Sequence, residues 1–188
     1  MEGAVNSTDL RVRKTRAAIQ DAFEAMMLEL PYNKVTVTAL CERALINKKT
    51  FYRHYSALDD LLEEIERQFA TGYQEYTKGM SYPDDLELIT RNFLEFSAAQ
   101  GPLYDAIVCS SRHGDIFAKV MSEMEMERYA KSSPPKGWTR EEWNLYMKGV
   151  TFFQWQVYRQ WVEDGRVVPV ERMVDIACML LSKGATLK

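Results

Sequence analysis

Apolar residues recur along this chain at intervals of three and four, and no stretch keeps the strict alternation of a half-buried strand. An all-α fold of about nine helices follows. Ile19, Ala22, Phe23, Met26, Met27 and Leu30 fall on one stripe of a first helix over about residues 9–30. Pro31 stops it, because proline has no backbone N–H and its ring clashes with the preceding turn. Thr36 is placed to cap a second helix reaching about Ala44, and Asn47 a third reaching about His54. In each case a side-chain oxygen takes an orphaned backbone N–H. Ser56 to Asp59 reads as a variant capping box, with Asp for the usual Glu or Gln, at the head of a fourth helix to about Lys78. Pro83 suits the first turn of a fifth helix ending near Gln100, and Gly101-Pro102 turns into a short sixth, Leu103 to Cys109. A seventh is expected over about 114–130, followed by a Ser- and Pro-rich loop at 132–137. Thr139 and Glu142 form a second capping box for an eighth helix to about Asp164, which Gly165 closes. A ninth runs from Pro169 to Gly184.

Charge divides the chain. The 188 residues carry a net charge of −3, and the 46% that are hydrophobic supply ample core for one domain or two small ones. Residues 1–55 hold nine Lys/Arg against six Asp/Glu, a net of +3, whereas 56–188 hold fifteen against twenty-one, a net of −6. A basic end on an acidic body confines nucleic-acid contact to the first part. The expected organisation is therefore a domain over 1–55 and a second over 56–188, linked by the helix at 56–78. Cys41, Cys109 and Cys178 are odd in number, far apart and lack CxxC spacing, which argues against a disulfide framework or zinc site. No run approaches the ~18 apolar residues of a membrane span, and the N-terminus lacks the apolar core of a signal peptide. Reduced thiols in a cytoplasmic protein, with no metal and no cofactor, are expected.

Residues 35–62 carry the most chemistry: a short amphipathic helix, a three-residue bend, and a second short helix rich in Lys, Arg, Tyr and His. Phe51 and Tyr55, four apart, face one way and would pack on Ile19, Phe23, Val37 and Leu40. Lys48, Lys49, Tyr52 and Arg53 then face the other way, as in a helix-turn-helix whose second helix enters the major groove. Lys48 or Lys49 is suited to guanine or phosphate, Thr50 to a thymine methyl or a phosphate, and Tyr52 and His54 to the DNA backbone. Thr36 and Thr38, near the start of the second helix, add a hydroxyl and backbone N–H groups for a phosphate. Arg11, Arg13, Lys14 and Arg16 would form a basic arm.

The order of an apolar helix, Val35-Thr36-Val37-Thr38-Ala39-Leu40-Cys41-Glu42-Arg43-Ala44, Ile46-Asn47-Lys48-Lys49-Thr50-Phe51-Tyr52-Arg53-His54-Tyr55 and Leu61-Leu62 closely resembles the DNA-binding domain of TetR-family transcriptional regulators. The match covers about residues 9–65. It implies that Thr36 and Thr38 lie near backbone phosphates, that Lys48, Lys49 and Thr50 form the base-reading turn, that Tyr52 and His54 contact phosphate, and that Phe51 and Tyr55 are core. Two positions depart from the family. Leu45 stands where it usually has Gly, implying a different turn or local strain. Leu58 stands where it often has Lys, removing a phosphate contact that Asp59 and Asp60 do not replace.

Residues 83–184 resemble the family's effector and dimer domain more weakly, through the aromatic stretch Phe152 to Gly165. In such proteins the last two long helices pair with their copies in a second subunit. Phe152, Trp155, Val162, Met173, Ile176, Ala177 and Leu180 give those helices an apolar face too rich to leave exposed, which predicts a homodimer. Tyr73, Phe93, Phe96, Tyr104, Phe117, Tyr146, Met147 and Phe153 are candidates to line a pocket for a small apolar or aromatic effector, although aromatic and Met residues at this spacing are more often ordinary core. Gln154 and Arg159 are polar groups in that aromatic setting. The expected protein is a DNA-binding repressor of a quasi-palindromic operator, with control by a protein co-regulator as the alternative to a small effector. An enzyme is disfavoured: the Ser110-to-Asp115 loop offers Ser, His113 and Asp in sequence, but proximity along the chain is not triad geometry.

Overall fold

The computed structural model describes residues 7–110 and 130–183, together with Gly114, Phe117, Met121, Glu123, Glu125, Met126 and Arg128 between them. Eight helices are delimited among the described residues: α1 (Ser7–Glu29), α2 (Val37–Arg43), α3 (Lys48–Tyr52), α4 (Leu58–Tyr76), α5 (Leu86–Ala99), α6 (Pro102–Val108), α7 (Arg140–Glu163) and α8 (Val170–Lys183). The described residues between 114 and 131 are helical as well, so the all-α expectation of about nine helices holds. The chain divides into two compact units, Met1–Ile65 and Glu66–Lys188. This division falls inside α4, later than the change in charge along the sequence. The first turns of α4 are tied to the N-terminal unit by the buried Leu61, Leu62 and Ile65 and by hydrogen bonds from Arg16 and Gln20 to Glu64 and from Tyr32 to Asp59.

In the first unit, α1 buries Ile19, Ala22, Phe23, Met26 and Met27 and ends at Glu29 before Pro31. Leu30, expected on the buried stripe, is 41% exposed because the helix has already ended. Thr36 Oγ1 accepts the Ala39 N–H at 3.2 Å and caps α2. At the other end of α2, the Ile46 N–H reaches the Cys41 carbonyl at 2.9 Å and Leu45 takes φ +55°. That is the left-handed closing geometry glycine normally supplies, so of the two expectations for Leu45 the structure shows the ordinary turn with a strained residue in it. Arg43 lays both guanidinium nitrogens on the Glu29 carboxylate, at 2.5 and 2.7 Å, and so joins α2 to the end of α1.

The second unit is organised around α5, which packs against α7 and α8. Tyr73, Phe93, Tyr104, Phe117, Trp155 and Tyr158 are buried and meet largely edge to face, the geometry that aromatic quadrupoles favour. A second cluster gathers Tyr82, Ile89, Trp143, Met147 and Val150. Two buried polar contacts cross between elements of this unit: Gln154 donates to Thr90 Oγ1 at 2.7 Å, and the Tyr82 hydroxyl to Glu125 at 3.0 Å. The Thr139–Glu142 capping box opens α7 as the spacing predicts, with bonds of 3.1 and 2.7 Å. Two other predicted starts differ. α5 begins at Leu86 rather than Pro83, because Asp85 folds back onto the Ser81 N–H at 2.8 Å and holds residues 81–85 in a turn. At the head of α4 the carboxylate that closes the cap is Asp60, one residue later than predicted, accepting from Ser56 N–H at 2.7 Å and Ala57 N–H at 3.2 Å.

Candidate nucleic-acid interface

α3 is five residues long, too short to hold a helical shape alone. Its pose is imposed from both sides. Asn47 Oδ1 accepts the Thr50 N–H at 2.8 Å at its start, and Phe51 and Tyr55, rings 5.7 Å apart, are buried behind it. This leaves Lys48, Lys49 and Arg53 exposed and Thr50 and His54 partly so. Tyr52 meets Phe51 edge-on at 5.4 Å yet remains 56% exposed. Thr36 and Thr38 are exposed at the start of α2. All eight candidate DNA-contacting residues thus belong to one compact unit, and none is buried.

Their hydrogen bonding differentiates them. Thr36 accepts within the protein, so its hydroxyl keeps a proton to donate outward. Thr50 does the reverse, donating its hydroxyl proton to Asn47 Oδ1 at 3.0 Å. Burial, together with the neighbouring Arg16 and Arg53 cations, pushes the His54 imidazole below its ordinary pKa, with Glu64 opposing.

One predicted cationic contribution changes. Arg11, Arg13 and Lys14 are exposed along the start of α1, but Arg16 is engaged with Glu64 and lies 5.7 Å from the Tyr55 ring centroid. Arg16 therefore braces the unit rather than extending the arm. Sequence reasoning missed this, although the signal was Glu64 in the fourth helix, which charge counting treats only as part of an acidic segment. At the head of α4 the Asp60 carboxylate already occupies the position where a helix start attracts an anion, beside the partly exposed Leu58.

The candidate pocket residues separate into two groups. Tyr73, Phe93, Phe96, Tyr104 and Phe117 share the aromatic network, where their rings contact one another or Trp155. Met147 belongs to the second cluster, with Tyr146 packed against it, and Tyr146 stacks on Trp143. Phe153 is partly exposed on α7. Arg159 pairs with Glu163 on its own helix at 3.9 Å.

Of the candidate interface residues, Trp155, Met173 and Ala177 are buried within their own unit and present no surface to a second copy. An apolar helix face packs first against its own body, and periodicity alone does not say which cover it receives. Phe152 stays 65% exposed, and Val162, Ile176 and Leu180 are partly exposed. Leu145, about two helical turns before Phe152, is 78% exposed and was not singled out from the sequence, although the interval of seven marks the shared face.

Cys41 and Cys178 are buried and Cys109 half-buried, all as free thiols whose pKa values burial raises. Among the described residues no group of three or more His, Cys, Asp or Glu converges to hold a metal ion, and no helix is long and apolar enough to cross a membrane. Ser111, Arg112, His113 and Asp115 of the weighed catalytic loop lie outside the described residues.

No protein-family model matches the chain. No curated protein matches it in sequence either. Solved structures do match in shape over nearly the whole chain. A TetR transcriptional regulator from Streptococcus agalactiae superposes with a TM-score of 0.67 at 20% identity, covering 93% of this chain and 97% of that one. NalD from Pseudomonas aeruginosa, the secondary repressor of the MexAB-OprM multidrug efflux pump, gives 0.64 at 16% identity over 92% and 97%. The fatty acid degradation regulator FadR from Bacillus halodurans gives 0.63 at 14% over 93% and 97%. At such identities the likeness is one of architecture, and together with the short braced helix it shows that this chain has the fold of TetR-family transcriptional regulators.

Proposed function

We propose that the chain is a DNA-binding transcriptional regulator acting as a homodimer on a quasi-palindromic operator, with repression as its sign, the role NalD carries. One observation carries the reading. The outward side of α3 presents Lys48, Lys49, Tyr52 and Arg53 to solvent while Phe51 and Tyr55 hold it from behind. Cations on a short, rigidly backed helix fit the major groove and its flanking phosphates. Two copies related by a two-fold axis set the half-site spacing, and the exposed Leu145 and Phe152 on α7 support such pairing.

In the second unit, an effector would act by favouring one of two dimer shapes, which requires different affinity for the two. A small apolar or aromatic molecule is the effector class that the aromatic side chains of this unit would favour.

The test is a gel shift with a selected operator across a salt series, comparing the natural chain with Lys48→Ala/Tyr52→Ala. The variant should bind more weakly, and its log–log salt slope should fall by about 0.9 for the lost phosphate neutralisation. Unchanged affinity at every salt concentration would remove these residues from the interface.

A further inference from the structure

We propose that Thr50 is a specificity-determining residue that reads the 5-methyl group of a thymine in the major groove, and that it does not act as a hydrogen-bond donor to phosphate or base. This rests on the DNA-binding reading above. Asn47 Oδ1 carries no hydrogen, so the 3.0 Å contact with Thr50 Oγ1 fixes the threonine as donor. The same oxygen accepts the Thr50 backbone N–H at 2.8 Å. The hydroxyl is thereby turned toward the cap of α3 and its only proton is used there. What the partly exposed side chain retains for a duplex is a methyl group and an oxygen directed at Asn47. Thymine, alone among the bases, offers a methyl group on the major-groove edge.

Thr36 makes the contrast. It accepts the Ala39 N–H and keeps its proton, so it suits a phosphate oxygen. The two threonines look interchangeable in sequence, but the direction of one hydrogen bond in each separates backbone contact from base reading. Releasing the Thr50 hydroxyl to a phosphate would take it from Asn47 and weaken the start of a five-residue helix.

The experiment uses the full chain and an operator selected from random duplexes, with each thymine replaced in turn by deoxyuridine, which lacks only the methyl. At one symmetric position per half-site the natural protein should lose about fourfold in affinity, the worth of one buried methyl group. Thr50→Ser keeps the hydroxyl and its bond to Asn47 but has no methyl, so it should be indifferent to the exchange. Thr50→Val keeps methyl groups without the hydroxyl, so it should still discriminate. A selected operator insensitive to uracil at every position, or a sensitivity that Thr50→Ser leaves intact, overturns the assignment while leaving DNA binding in place. A chain that selects no duplex at all overturns both.

Discussion

The phenol of Tyr158 donates to the carboxylate of Asp105 at 2.6 Å, joining the last third of α7 to α6. The same hydroxyl lies 2.9 Å from the Ser97 carbonyl at the end of α5, and Arg166 reaches the other Asp105 oxygen at 2.5 Å. Burial and the adjacent carboxylate push the phenol far above its ordinary pKa, so it stays a donor under all working conditions. Tyr158→Phe should cost about 1.5 kcal/mol, near the lower bound for a bond to a charged group because Asp105 keeps Arg166. Thermal unfolding should show the midpoint lowered by roughly 3–6 °C. An unchanged midpoint would mean that the three-helix junction does not depend on this hydroxyl.

Leu45 sits at φ +55° and is 91% exposed, so it incurs backbone strain without burying its side chain. A non-glycine residue in this region costs about 1–2 kcal/mol, part of which is offset because leucine restricts the unfolded chain. Leu45→Gly should therefore raise stability by about 1 kcal/mol in urea titration. A destabilised variant would refute the strain argument and point to a contact that Leu45 makes.

His54 links stability to pH. Its folded pKa lies below its unfolded value of about 6.5. The unfolded chain therefore binds more protons below that value, so the contribution is fully present above pH 6.5 and is lost as pH falls through the lowered folded value. His54→Gln should flatten the pH dependence of the unfolding midpoint below about pH 6.5. A phosphate beside the imidazole would draw the pKa back up, so operator affinity should rise on acidification in the natural chain and not in His54→Gln. Fluorescence anisotropy at fixed ionic strength reads this, and parallel profiles for the two proteins would exclude His54 from the interface.

Leu145 and Phe152 test the pairing surface, since both are largely exposed on one side of α7. Covering each fully would stabilise a dimer by about 1.5–3 kcal/mol per side chain. Leu145→Glu/Phe152→Glu should sediment as a monomer at micromolar concentration and retain its helical circular dichroism. A dimer that survives both charges would place the contact on another face.

The helix starts and the inward face of α3 were legible because local chemistry dictates them. Thr36, Asn47 and the Thr139–Glu142 pair each cap a helix where the spacing puts a side-chain oxygen near an orphaned N–H, and Phe51 and Tyr55 lie inward because four residues separate them. Where two carboxylates compete for one cap, spacing could not choose, and Asp60 rather than Asp59 closed α4. Long-range partners were hidden for a different reason. Arg16 and Glu64 are far apart in the chain, as are Gln154 and Thr90, and only the folded chain brings them together. Trp155, Met173 and Ala177 were read as interface because helical periodicity identifies an apolar face without identifying what covers it.

The brevity of α3 has an evolutionary consequence. Lys48, Lys49 and Arg53 stand in solvent outside the volume that Phe51 and Tyr55 bury, so these three can be exchanged in combination without repacking anything. In the DNA-binding role proposed above, the unit would work as a fixed handle with an interchangeable key, and duplicated copies could drift to new promoters by altering a few codons while every anchoring codon stays the same.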